Sequence, residues 1–178
     1  LGLFYAHGHG VPEDRTEAAR WYRMAAEQGN VTAQFNLGIA YQDGVGVAQD
    51  YAESCRWFAK AADQGDAGAQ YNLAVSYALG EGVAQDTAEA ARWFAKAADQ
   101  GHADAQANLG NLYARGMGVP QDEVRALMWM IIAASGVETE NAERIAQFRA
   151  DLAATLTAEQ VAEAERLAAA WRPNAPAN

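Results

Sequence analysis

The chain has 178 residues, 51% of them hydrophobic and 20% charged, the balance of a folded globular chain rather than a disordered one. Its formal net charge of -10 argues against a sequence-independent nucleic-acid binder, which needs a basic stripe to neutralise phosphates. No apolar run approaches the roughly 20 residues of a membrane span, and Cys55, the one cysteine, excludes an internal disulfide.

The first 32 residues open in the middle of a pattern. Leu1, Tyr5 and Trp21 return 36 residues later as Leu37, Tyr41 and Trp57, then as Leu73, Tyr77 and Trp93, and again as Leu109, Tyr113 and Trp129. Four copies of one unit therefore occupy residues 1–136, with boundaries expected at 1–32, 33–68, 69–104 and 105–136. A unit this short cannot bury its apolar side alone, so the copies must stack. Leu1 already holds an interior position and no signal peptide precedes it, so the expectation is a fragment whose start, with any export signal, lies upstream. His7 and His9 flank Gly8 in the first loop. The same loop elsewhere holds Asp43 with Val45, Leu79 with Glu81, or Arg115 with Met117, and two histidines without further convergent donors do not make a metal site.

Residues 33–68 and 69–104 share 24 of 36 positions, so their few differences carry information. Ala33, Leu37 and Tyr41 recur at helical spacing and predict a first helix, helix A, over about 32–43. Gly44 and Gly46, repeated at 80 and 82 and at 116 and 118, supply the turn that ends it. Asp50 with Glu53, echoed by Asp14 with Glu17 and Asp86 with Glu89, has the spacing of a capping box opening helix B over about 51–64. Its apolar line runs through Ala52, Cys55, Trp57, Ala61 and Ala62, with Arg56 and Lys60 on the wetter side. Cys55 stands where Ala19, Ala91 and Leu127 stand in the other copies and reads as a small core residue. The tryptophans read as core too. His102, between two units, reads as solvent-exposed.

The fourth copy turns greasier at Leu127-Met128-Trp129-Met130-Ile131-Ile132 and needs a cover. Residues 137–172 should supply it as capping helices. Ile145, Phe148 and Leu152 mark one over 141–155, and Val161, Ala164, Ala168 and Trp171 mark a second, opened by a Thr157/Gln160 capping box. Residues 173–178 form a tail.

Chemistry-bearing motifs do not emerge. The Gly-x-Gly loops lack the preceding strand and third glycine of a dinucleotide fingerprint, and no G-x-S-x-G elbow or H-E-x-x-H pair appears. Asn36, Asn72 and Asn108 recur in every full helix A, which favours an internal hydrogen bond over ligand contact.

The series A-x-x-N-L-G-x-x-Y, G-x-G-V, then D-x-x-E-A-x-x-W-x-x-x-A-A-x-x-G closely resembles the Sel1-like repeat family, relatives of the 34-residue tetratricopeptide repeats. The resemblance implies an all-α fold, a right-handed α-solenoid of four 36-residue helix-turn-helix Sel1-like repeats with a C-terminal helical cap. It also implies an adaptor or scaffold of bacterial signalling, envelope assembly or host interaction, in a periplasmic or exported setting ahead of a cytoplasmic one. A cysteine-rich branch with a disulfide in each repeat is associated with β-lactam hydrolysis, and this chain lacks those paired cysteines.

Positions 35, 39 and 42 share a helix A face offset from the buried line, and they vary between copies. They read Phe35, Ile39, Gln42, then Tyr71, Val75, Ala78, then Ala107, Asn111, Ala114, with Asp43, Leu79 and Arg115 beside them. Tetratricopeptide relatives place this face on the concave side, so by resemblance it is the binding groove. Residues 67–79 carry no charge, and an apolar, partly exposed strip on a charged protein is an interaction candidate. Phe35 and Tyr71 are the expected anchors for an extended peptide or helix of another protein. The expected function is thus a noncatalytic interaction module without cofactor, nucleic acid or membrane insertion, the rivals being a β-lactam-binding enzyme and a self-assembling spacer.

Overall fold

The computed structural model describes residues 1–136 and 141–174. The first residues of the expected cap, 137–140, and most of the expected tail, 175–178, lie outside the described residues. The described chain is all-α: α1 (Gly2–His7), α2 (Arg15–Glu27), α3 (Val31–Asp43), α4 (Tyr51–Asp63), α5 (Ala67–Leu79), α6 (Thr87–Asp99), α7 (Ala103–Arg115), α8 (Glu123–Gly136), α9 (Asn141–Thr155) and α10 (Ala158–Ala170). Odd-numbered helices up to α7 are helix A of successive copies, and even-numbered ones up to α8 are helix B.

The chain ends of each helix explain why it starts and stops there. Asp14, Asp50 and Asp86 cap α2, α4 and α6, and the Asp50 carboxylate accepts from the backbone N–H of Ala52 and Glu53. The expected capping box is only half made. The N–H of Asp50 donates to the Tyr41 carbonyl at 2.9 Å, and Asp14 and Asp122 donate likewise to Tyr5 and Tyr113. With that donor taken, Glu17 and Glu53 turn instead to Arg20 and Arg56, three residues on, and Glu89 pairs likewise with Arg92. The full box forms at Thr157 and Gln160. Helix A carries caps that no sequence rule singled out: Asn30, Asp66 and His102, each accepting from the N–H three residues later. His102 is therefore not a free surface histidine. It is half-buried, and its Nδ1 accepts from Ala105 N–H at 3.3 Å.

Two compact units divide the chain, one spanning Leu1–Gln85 and one beginning at Asp86. In the first, Ala26, Ala33, Leu37 and Trp57 form a buried cluster with Tyr22, Ala25 and Tyr41 packed on it. Leu37, Leu73 and Leu109 are buried, as a seam between helices requires, whereas Leu1, expected at an interior position, is 67% exposed. Trp21, expected in the core, is only half-buried, whereas Trp57 is buried. Beside the cluster lies a buried glutamine: Gln34 donates from Nε2 to the Ala26 carbonyl at 3.1 Å and accepts from Gln64 at 2.7 Å. Gln70 repeats the first bond to Ala62 and, in the second unit, Gln106 repeats it to Ala98. Each bond adds a second donor to a helix-end carbonyl that already accepts from the backbone N–H three residues on, and it satisfies the buried amide itself. Gln34→Leu, which keeps the size but removes the bonds to Ala26 O and from Gln64, should lower stability by about 0.5–1.5 kcal/mol in urea unfolding.

In the second unit α9 and α10 cover α8. Ala126, Leu127, Leu152 and Ala164 are buried together, with Phe148, Leu156 and Val161 packed around them. A second cluster joins Met130, Ala133 and Ile145. Trp171 caps α10 and meets Trp129 edge-on at 6.0 Å, and Asn174 N–H then donates to the Asp99 carbonyl at 2.7 Å. Asp99 ends α6, and burial raises its carboxyl above the ordinary carboxylate range. The charged form is the penalised one, so the penalty is present at neutral pH and fades as pH falls through the folded value. Asp99→Asn should therefore raise Tm at pH 7, with the gain shrinking in melts taken toward pH 4.

Candidate functional site

The helix A face of the first unit is built by α1, α3 and α5. α5 has no charged residue along its length, and its Tyr71, Val75 and Ala78 are half-buried while Leu79 stands 61% exposed. On α3, Phe35, Ile39 and Gln42 are half-buried and Asp43 is exposed. Phe35 is more embedded than an open anchor would be, because its ring lies 6.0 Å from that of Phe58. Two of the three recurring asparagines bond within their own helix, Asn72 donating to the Gly68 carbonyl and Asn108, in the second unit, to that of Asp104, each at 2.9 Å, whereas Asn36 lines a cleft between α1, α2 and α3. The first two match the internal hydrogen bond expected of all three.

Ile39 and Asp43 come together in a cleft of about 300 Å³ between α1, α2 and α3. Its α1 wall is made by Leu3, Ala6 and His7, which hold in the first copy the positions that Ile39, Gln42 and Asp43 hold in the second. Ala18, Ala19 and Tyr22 of α2 form the floor. Gln42 does not line it. Its carbonyl oxygen Oε1 is buried without a hydrogen-bond partner, as is Asn111 Oδ1 in the second unit.

In that second unit the helix A face of α7 is occupied differently. Ala107 packs against the Met130–Ala133–Ile145 cluster and Ala114 against the one containing Leu127 and Leu152. Asn111 is half-buried and Arg115 exposed.

Charge is arranged away from the first unit's helix A face. Arg15 pairs with Glu13 at 2.7 Å, Arg20 with Glu17 at 3.0 Å and Arg56 with Glu53 at 2.7 Å. Arg23 donates to the Tyr41 hydroxyl and lies over its ring, and Lys60 sits 4.0 Å from the Trp57 ring centre. All five Lys and Arg residues of Leu1–Gln85 are thereby engaged. The exposed pairs add little stability, but they neutralise helix B locally.

No group of three or more metal-ligating side chains occurs among the described residues. Cys55 is buried, its thiol donates to the Glu81 carbonyl at 3.2 Å, and burial pushes its pKa up, the opposite of an activated nucleophile. Among the described residues no helix is long and apolar enough to cross a membrane.

With the helix pairs in place, the family profile of the Sel1 repeat matches four times, at residues 1–30, 31–66, 67–102 and 103–136. The chain belongs to the Sel1 repeat family. Two solved structures extend the likeness. The crystal structure of c5321, a protective antigen of uropathogenic Escherichia coli displaying an SLR fold, matches with a TM-score of 0.81 and 37% identity over 94% of this chain. A Sel1 repeat protein from Oxalobacter formigenes matches with a TM-score of 0.78 and 32% identity, again over 94% of this chain and 67% of its own. The present chain spans 35% of the length of c5321. No curated protein matches it significantly. Sel1 repeat proteins generally serve as protein-interaction modules and are typically noncatalytic, and the repeat fold explains why: stacked helix pairs present a continuous surface without enclosing a reaction site.

Proposed function

We propose that this chain is a noncatalytic adaptor that holds a peptide or helix of a partner protein on the helix A face of its first unit. One observation carries the reading. Across α3 and α5 the positions that vary between repeats present partly exposed apolar side chains, Ile39, Tyr71, Val75 and Leu79, with Asp43 the one charge among them. Apolar strips of this kind on an acidic protein mark association surfaces. Asn111 and Arg115 of the second unit stand at the same repeat positions and belong to the proposal as a separate, more polar contact.

Tyr71→Ala combined with Val75→Glu should weaken a captured partner by at least about tenfold, the loss expected when a central anchor goes. Circular dichroism should show the helix content retained. Affinity unchanged by both substitutions in calorimetry would place the contact on another surface.

A further inference from the structure

Resting on the adaptor reading, we propose that the cleft between α1, α2 and α3 is the recognition point of that face, and that it takes a partner segment with one leucine-sized apolar side chain and a lysine or arginine within a helical turn of it. Size comes first. At about 300 Å³ the cleft is at the low end for small-molecule pockets, right for one or two side chains and too small for a large cofactor. Its walls are mostly apolar, from Leu3, Ala18, Ala19, Ile39 and Val45, with His7 and Asn36 as polar lining beside two charged residues, and Leu3 is half exposed.

The cleft floor also differs from its counterpart in the next copy. Ala18 and Ala19 hold the positions that Ser54 and Cys55 hold one copy later, where the hydroxyl reaches the Gly38 carbonyl and the thiol reaches Glu81. In the first copy two methyl groups stand in those places, so the cleft floor carries neither polar atom.

Charge sets the second requirement. Asp43 lies on the cleft wall and is exposed, and among the described residues it pairs with no cation. Arg15 also lines the cleft, but Glu13 holds it at 2.7 Å. An apolar side chain entering beside Asp43 thus leaves a carboxylate facing the partner, and a lysine or arginine there gains a charge pair while the rest of an acidic chain draws it in.

Selection from a random peptide display library on the immobilised chain tests this. Wild-type protein should enrich peptides with leucine, isoleucine, methionine or phenylalanine within four residues of a basic one. Such a synthetic peptide should shift the methyl resonances of Leu3 and Ile39. Asp43→Lys should switch the enrichment to acidic neighbours, and Ile39→Glu should weaken the wild-type peptides by at least about tenfold. Should Ile39→Glu fail to fold, the exposed Asp43 substitution and the methyl shifts decide. Binders indifferent to Asp43→Lys and Ile39→Glu but lost with Val75→Glu would overturn the cleft and leave the helix A face standing. Binders indifferent to all three, or none enriched, would overturn both.

Discussion

Gly82→Ala should destabilise the protein by about 3 kcal/mol or more, a large share of the roughly 5–15 kcal/mol that holds a domain together. Gly82 has φ 73°, and the left-handed region alone costs an L-residue about 1–2 kcal/mol. A Cβ there would also run into the Tyr51 carbonyl at the start of α4, and a carbonyl on the first turn of a helix cannot rotate away. Gly46 meets Arg15 in the same manner, and Gly118 meets Thr87 in the second unit. This is the point where the loop of one repeat touches the helix B of the one before it. Gly10 supplies the control, since it has φ 77° at the equivalent position and nothing within 4 Å of a built Cβ. Gly10→Ala should cost only the backbone share, about 1 kcal/mol. Urea midpoints for the two variants separate strain from collision; equal losses would mean that the inter-repeat approach contributes nothing.

The second large effect lies inside a single repeat. Phe58 is 1% exposed, and a Cβ added at Gly38 would sit 2.6 Å from its ring. Phe58→Ala should cost about 3–5 kcal/mol through lost burial and the cavity left behind. Gly38→Ala sets two effects against each other. Helix propensity favours alanine by about 1 kcal/mol, while forcing a packed ring aside costs about 1–3 kcal/mol, so the net change should be destabilising. Made together with Phe58→Ala, the same substitution should become stabilising, because the ring that opposed it is gone. A sign that stays the same in both backgrounds would break the argument. Gly110→Ala in the second unit should be milder, since one neighbour is the flexible end of Met130.

The repeat, its helices and most of their ends follow from residues close together in the chain. Leucine and tyrosine at helical spacing, glycines at φ near 70° and aspartates at the start of helix B act over one or two turns, so the pattern of residues 33–43 yields α3 and that of 141–155 yields α9. Thr157 with Gln160 behaves as its spacing requires because no other chain segment competes for its N–H. Asp50 with Glu53 has related spacing and a different outcome, because the Tyr41 carbonyl, brought over by the preceding helix A, already holds the donor.

The sites depend on such distant partners. Nothing near Gln34 in sequence shows that its amide is buried and holds the Ala26 carbonyl, although its return at 70 and 106 marks it as more than a surface residue. Phe35 looked like an open anchor by face and spacing, and packing against Phe58 from the next helix half-buries it. Ile39 and Asp43 were legible as one face of a helix. That they wall a cleft is decided by α1 and α2, which bring Leu3, Ala18, Ala19 and Tyr22 to the other sides of it, because local periodicity sets which way a side chain points whereas free volume is set by what folds against it.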